Sequence, residues 1–170
     1  LEKRLADKGI NVKWTEFPFG PPLLEAINVG SLDVGTTGEA PPIFAQAAGA
    51  DLVYVGNEPP APTAEALVVP KDSQIKSVAE LRGKKIAVAK GSNANYLLIK
   101  LLERAGVKFS DVSVVYLAPA DARAAFESGR VDAWSIWDPF LAAAEKQPGA
   151  RVPADGKRAA PNPQSSPPAR

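Results

Sequence analysis

Two stretches of the sequence repeat one pattern of glycine, aspartate and a second acidic residue. Residues 127–141 read ESGRVDAWSIWDPFL, and residues 28–43 read NVGSLDVGTTGEAPPI. Aligned without gaps, three pairs match at a constant offset of 99 residues: Gly30 with Gly129, Asp33 with Asp132 and Glu39 with Asp138. A glycine after a helix, then a short apolar segment and a polar loop before another helix, is typical of a strand–loop–helix unit. Two such units predict two similar lobes, each offering a helix N-terminus to a ligand between them.

The composition narrows the chemistry that the chain can perform. It is 45% hydrophobic and 23% charged, which is typical of a globular protein, and it contains no histidine and no cysteine. The commonest general base, the usual zinc ligands and every Ser-His or Cys-His pair are therefore excluded. Residues 1–150 carry 16 basic and 18 acidic side chains without a basic stripe, so no nucleic-acid partner is expected.

Helical and strand patterns alternate along the chain. Strands are predicted at 12–17, 32–35, 52–55, 66–69, 85–89, 112–117 and 131–135. Helices are predicted at 1–8, 23–29, 43–48, 78–82, 93–105, 119–126 and 140–146. This alternation predicts an α/β fold with mainly parallel sheets, in which residues 66–70 cross between the lobes. Ligands of such sheets lie beyond the carboxyl ends of the strands, here at loops 36–40, 90–95 and 135–139.

The first loop, 36–40, leads into a helix and can present free backbone N–H groups to an anion. The alternative is that Thr37 or Glu39 merely caps the helix. The second loop, 90–95, can likewise present free backbone N–H groups to an anion, with Ser92, Asn93 and Asn95 as neutral donors. Its alternative is a capping serine followed by two surface asparagines.

The third loop follows the predicted strand 131–135. Trp134 is expected in the core, whereas Trp137 could line a ligand or pack in the core. Asp138 precedes Pro139, so it could cap the next helix or pair with a ligand ammonium. Asp132 and its counterpart Asp33 are weak catalytic candidates, since such aspartates usually bond nearby backbone N–H groups.

Three regions follow from these patterns. Residues 1–68 are predicted to form a partial first lobe and residues 69–150 an incomplete second lobe. Residues 151–170 contain five prolines, no aromatic residue and one β-branched residue, Val152. This last region is predicted to be an irregular tail without a core element.

Three segments together resemble the SsuA/TauA-type substrate-binding proteins of ABC importers, most closely the aliphatic sulfonate branch. They are LLEAINVGSLDVGTTGEAPPIFAQAAGADLVYVG (23–56), SVAELRGKKIAVAKGS (77–92) and PADARAAFESGRVDAWSIWDPFLAAAE (119–145). The resemblance covers about residues 1–152. It implies the type II periplasmic binding fold, with two α/β lobes, a hinge and a ligand in the cleft.

The resemblance also implies which residues contact the ligand. Those of the first lobe are Thr37, Gly38 and Glu39; those of the second lobe are Ser92, Asn93, Asn95, Trp137 and Asp138. A sulfonate is a weakly basic monoanion that backbone N–H groups and neutral hydroxyls can satisfy.

The resemblance predicts a non-catalytic, monomeric periplasmic protein that binds an aliphatic sulfonate, taurine or nitrate, and presents it to an ABC permease. No cofactor and no metal are expected. The alternatives are an enzyme resembling thiamine-pyrimidine synthases and the ligand-sensing domain of a regulator. Family members begin with a further strand and continue well beyond residue 150, so the sequence is expected to be incomplete at both ends, without a signal peptide.

Overall fold

The computed structural model describes residues 1–146 and 149–159. Over these residues the helices are α1 (Glu2–Ala6), α2 (Gly20–Asn28), α3 (Ala40–Ala47), α4 (Asn93–Arg104), α5 (Pro119–Glu127), α6 (Phe140–Lys146) and α7 (Gly156–Ala159). The strands are β1 (Glu65–Val69), β2 (Lys85–Val88), β3 (Ser113–Tyr116), β4 (Ala133–Trp137) and β5 (Arg151–Asp155). Two short 3₁₀ helices span Val78–Leu81 and Phe109–Asp111.

The strands form one mixed sheet in the order β3-β2-β4-β1-β5. β2 is parallel to β3 and β4, whereas β1 is antiparallel to both β4 and β5. Four strands thus point one way and β1 points the other way. The predicted α/β class is confirmed, and β1 departs from the predicted parallel pattern. Its connection to β2 contains a 3₁₀ turn and no α-helical crossover, which is the unit that keeps successive strands parallel.

Helices cover both faces of this sheet. On one face, α4 packs through Leu97, Leu98 and Leu101 against side chains of β1 and β2. On the other face, α5 and α6 pack against Trp134 and Ile136 of β4. The central strands are apolar on both faces because both are covered.

The two repeated units differ in the structure. Gly30 follows α2 with φ of 72° and Gly129 follows α5 with φ of 69°, both in the left-handed region that favours glycine. After Gly129 the predicted strand and helix are present as β4 and α6. After Gly30 the chain reaches α3 without forming a strand.

Three predicted strands are wrong, because residues 12–17, 32–35 and 52–55 form no ladder within the described part of the chain. Several of their apolar side chains face solvent: Val53 and Val55 are 84% and 83% exposed. The β-branched and aromatic residues of segments such as 52–55 favour a strand, but a strand also needs a hydrogen-bonding neighbour.

The predicted irregular tail is also wrong in its first part. Residues 151–155 form β5, which pairs with β1, and residues 156–159 continue as α7. Pro153 is tolerated because β5 is an edge strand of the sheet, where a missing N–H costs little. Residues 160–170 lie outside the described residues. The predicted lobe boundary between residues 68 and 69 falls inside β1 and stays a prediction.

Burial is unevenly distributed along the chain. Both apolar clusters of the core are built from residues between 66 and 154. Among residues 1–60, only Leu24 and residues 40–42 are buried. Within the described residues, no helix combines the length and the apolar character needed to cross a membrane.

Candidate ligand-binding site

The starts of three helices converge on one side of the sheet. Gly20, the first residue of α2, lies so close to Thr37 that an added Cβ would come within 2.2 Å of the Thr37 Oγ1. A Cβ on Gly91, two residues before α4, would meet the Pro21 side chain at 3.4 Å. The loop before α3 is bonded to the first residue of α4, as described next. The positive ends of three helix dipoles therefore face a common region.

Asn93 joins the two predicted loops. Its Oδ1 accepts a hydrogen bond from the Ala40 N–H at 3.1 Å. Its Nδ2 donates to Glu39 Oε2 at 2.6 Å and to Glu65 Oε1 at 3.0 Å. Gly38 lies against the same amide, since a Cβ on Gly38 would come within 2.1 Å of Nδ2. The structure thus brings together the predicted loops 36–40 and 90–95, which are more than 50 residues apart in sequence.

Ser92 and Asn95 stabilise the turn that opens α4. Ser92 is the N-cap: its Oγ accepts from the Asn95 N–H at 3.2 Å and donates to the Ala89 carbonyl at 2.7 Å. The Asn95 Oδ1 accepts from the Gly91 N–H at 3.0 Å. The capping alternative for Ser92 is confirmed, but Asn95 is 8% exposed and is therefore not the surface asparagine that this alternative assumed. The buried Asn95 Nδ2 has no hydrogen-bond partner among the described residues.

Trp137 and Asp138 lie at the carboxyl end of β4. Trp137 is half-buried and stands opposite Glu65 in the ladder between β4 and β1. The Asp138 N–H donates to the Ala64 carbonyl at 2.9 Å, and its Oδ1 accepts from the Ala142 N–H at 3.1 Å. Asp138 therefore binds the first turn of α6, which favours its capping alternative. Trp134 is 1% exposed, which confirms its place in the core.

Glu65 belongs to this region although sequence reasoning missed it. Its carboxylate shares the Asn93 amide with Glu39. Burial raises the pKa of Glu65, the neighbouring Glu39 charge adds to that rise, and the Asn93 hydrogen bond opposes it. A detectable signal was present: Glu65 is the acidic residue that opens the apolar strand EALVV. Its position could not be deduced because β1 runs against the other strands, so its start lies at their carboxyl edge.

The combined electrostatics suit an anion of low charge. The start of α4 supplies backbone N–H donors, and all three helix starts supply positive dipole ends. The prolines at the second and third positions of α2 and α3 carry no N–H group. Two carboxylates beside the helix starts oppose a second negative charge on the same ligand. Within the described residues, no group of three or more His, Cys, Asp or Glu side chains is placed to hold a metal ion.

The sequence profile of the family described as NMT1/THI5 like matches residues 5–154. The chain belongs to the NMT1/THI5-like family. It is 59% identical over 156 residues to an Escherichia coli (strain K12) relative named as an aliphatic sulfonates-binding protein. That match covers 92% of this chain and 48% of the relative. The chain therefore spans about half the length of the curated relatives that it matches.

Solved structures agree with this membership in the NMT1/THI5-like family. The periplasmic aliphatic sulphonate binding protein SsuA from E. coli matches with a TM-score of 0.79 and 58% identity, covering 92% of this chain and 50% of that one. The alkanesulfonate-binding protein SsuA from Xanthomonas axonopodis pv. citri, bound to MOPS, matches with a TM-score of 0.87 and 51% identity, covering 92% and 53%. The predicted periplasmic-binding-protein fold class is confirmed.

Proposed function

We propose that this chain is the solute-binding component of an ABC importer, or a part of it, and that its ligand is an aliphatic sulfonate. The observation that carries the proposal is the 59% identity, over 92% of this chain, to a relative named for binding aliphatic sulfonates. The protein would act in the periplasm as a monomer, without catalysis, and would deliver its ligand to a membrane permease.

The chemistry of the site supports a sulfonate. Its three oxygens carry one delocalised negative charge, which backbone N–H groups at the start of α4 and in the loop before α3 can share. The prolines at the second and third positions of α2 and α3 carry no N–H group and cannot contribute. In this proposal Ser92 and Asn95 shape the turn before α4, and the free Asn95 Nδ2 adds a neutral donor. Thr37, Gly38 and Glu39 border the anion from the other side.

Trp137 is proposed to contact the alkyl part of the ligand. It packs against both apolar clusters but is only half-buried at the strand end opposite Glu65, so part of its surface remains exposed. An indole face beside an anion-binding turn suits a short amphipathic ligand with one charged end and one apolar end. Asp138, bonded to α6, closes this side of the site.

Isothermal titration of the 170-residue chain with ethanesulfonate, butanesulfonate, taurine, nitrate and sulfate tests the proposal. Saturable binding of the sulfonates, with sulfate at least tenfold weaker, is the expected result, because the carboxylates near Asn93 oppose a dianion. A chain that is folded by circular dichroism and releases no heat with any sulfonate would refute the proposal.

A further inference from the structure

Residues 1–60 are tied to the sheet by very few polar contacts. Across the described residues, two hydrogen bonds join residues 1–60 to residues 65–159, and both are made by the Asn93 side chain. One is accepted from the Ala40 N–H and the other is donated to Glu39. The three ion pairs of the described residues all lie within 82–127.

The hydrogen-bonding capacity of the Asn93 amide is largely used by the protein itself. A carboxamide nitrogen carries two protons, and those of Asn93 are directed to Glu39 and Glu65. The Oδ1 already accepts from Ala40. No amide proton is left over for a sulfonate oxygen. This occupancy argues against the direct ligand contact that the family resemblance implies for Asn93.

We infer that the Asn93 side chain has a positioning role: it holds loop 37–40 against the start of α4 and does not itself donate to the ligand. As far as it concerns ligand affinity, this inference rests on the proposed function. The positioning role itself does not rest on the proposed function, because the hydrogen bonds of Asn93 to Ala40 and Glu39 can be measured without any ligand.

Gly38 gives an independent way to disturb the same contact. Its backbone is outside the left-handed region, so an alanine is conformationally allowed there. The added methyl group would nevertheless lie 2.1 Å from the Asn93 Nδ2, which forces the loop and the amide apart. Gly38→Ala should therefore reproduce the effect of losing the Asn93 bonds while leaving Asn93 in place.

Asn93→Asp gives the sharper test, because it exchanges the amide donor for a third carboxylate between Glu39 and Glu65. The other charged groups near this edge are engaged elsewhere: Lys90 Nζ lies 5.6 Å from the centre of the Tyr116 ring, and Asp138 binds α6. At pH 7 three carboxylates would repel one another. Below about pH 4.5 a protonated carboxyl could again donate a hydrogen bond.

The measurement is amide hydrogen exchange, expressed as protection factors so that the intrinsic effect of pH is removed. In Asn93→Asp and in Gly38→Ala, protection of the Ala40 amide, whose N–H is bound by Asn93, should fall about tenfold at pH 7. Protection should recover at pH 4 in Asn93→Asp but not in Gly38→Ala. Asn57→Asp, an equal charge change in an exposed loop, is the matched control and should behave like the parent.

Ethanesulfonate titration separates this inference from the proposed function. Weaker binding together with lost protection in both variants supports the positioning role. Weaker binding in Asn93→Asp with parental protection of the Ala40 amide would show that the Asn93 side chain contacts the ligand, and the inference would fail. Unchanged protection in both variants would also overturn it. If the parent binds no sulfonate, the proposed function fails, and the exchange data alone decide whether Asn93 holds the loop.

Discussion

Asp132 and Lys85 exchange two hydrogen bonds at the starts of β4 and β2. The Asp132 N–H donates to the Lys85 carbonyl at 2.8 Å, and the Lys85 N–H donates to the Asp132 Oδ2 at 2.7 Å. The carboxylate thus extends the ladder by one bond beyond the last strand pair. Sequence reasoning expected Asp132 to bond a nearby N–H, and the partner is instead on the neighbouring strand, 47 residues away.

Asp132→Ala should lower the free energy of unfolding by about 1 kcal/mol, because the Lys85 N–H loses a charged acceptor. Asp33→Ala is the matched control, since Asp33 occupies the equivalent repeat position but is exposed. It should change stability by less than about 0.5 kcal/mol. Urea unfolding of both variants measures the difference, and equal effects would contradict this role for Asp132.

Arg151 fastens β5 to the segment that follows β1. Its guanidinium donates to three carbonyls, those of Lys71 at 3.1 Å, Ser73 at 2.6 Å and Ile75 at 3.0 Å. Arg151→Ala should lower the free energy of unfolding by about 2 kcal/mol, because the three carbonyls, two of them in partly buried bonds, lose a charged donor.

Arg151→Lys should recover only part of that loss, since an ammonium cannot span three carbonyls as a planar guanidinium does. Arg4→Ala, at an exposed position of α1, serves as the control. Thermal and urea unfolding provide the measurement. A similar loss of stability in Arg4→Ala and Arg151→Ala would argue against this role of the Arg151 hydrogen bonds.

Glu65 should make stability depend on pH. Because burial and Glu39 raise the pKa of Glu65 in the folded chain, the native state holds this proton more tightly than the unfolded chain. Its contribution to stability is therefore complete below the unfolded value of about 4.3 and is lost as the pH rises through the folded pKa. Glu65→Gln should be more stable than the parent at pH 7, by about 0.5 kcal/mol, and equal to it near pH 4.

Glu80 should show the opposite dependence of stability on pH, because its pKa is lowered and not raised. The Lys76 N–H and the Ser77 hydroxyl bind its carboxylate and lower its pKa. Its contribution is present above the unfolded pKa and is lost as the pH falls, so Glu80→Gln should be the less stable variant at pH 7. Urea unfolding between pH 3 and pH 7 tests both variants. Curves that run parallel to the parent would contradict the two assignments.

Trp137→Ala should weaken binding of butanesulfonate more than binding of methanesulfonate. The proposed contact is with the alkyl part, and each buried methylene is worth about 0.8 kcal/mol. The butanesulfonate affinity should fall about tenfold or more, whereas methanesulfonate should change little. Trp14→Ala, at a 71% exposed tryptophan, is the control. Equal losses for the two ligands would exclude an alkyl contact.

Local features of this fold could be predicted from the sequence. Gly30 and Gly129 were placed correctly after helices, because the left-handed cap is a property of a few adjacent residues. The start of α4 with its Ser92 cap was predicted for the same reason. Loops 36–40 and 90–95 were also expected at a common edge and do meet, but the expected reason fails for the first loop, because residues 32–35 before it form no strand.

Features that depend on distant partners were not predictable in this way. The direction of β1, and with it the position of Glu65, depends on pairing with β4 and β5. Pro153 favours an irregular segment when only the neighbouring residues are considered. Those residues do not reveal that β5 is an edge strand, where a proline is tolerated. Residues 52–55 have strand composition, but composition does not report whether a neighbouring strand is present.

The uneven burial described above divides the chain into two parts that are expected to differ in stability. Residues 65–155 contain both apolar clusters, so opening any part of them requires breaking a shared core. Residues 1–60 contribute almost no buried side chains, and they meet the rest of the chain through the hydrogen bonds of Asn93 and the approach of Pro21 to Gly91. Substitutions in residues 65–155 would therefore change the abundance of folded protein, whereas substitutions in residues 1–60 would change how the two parts of the chain meet.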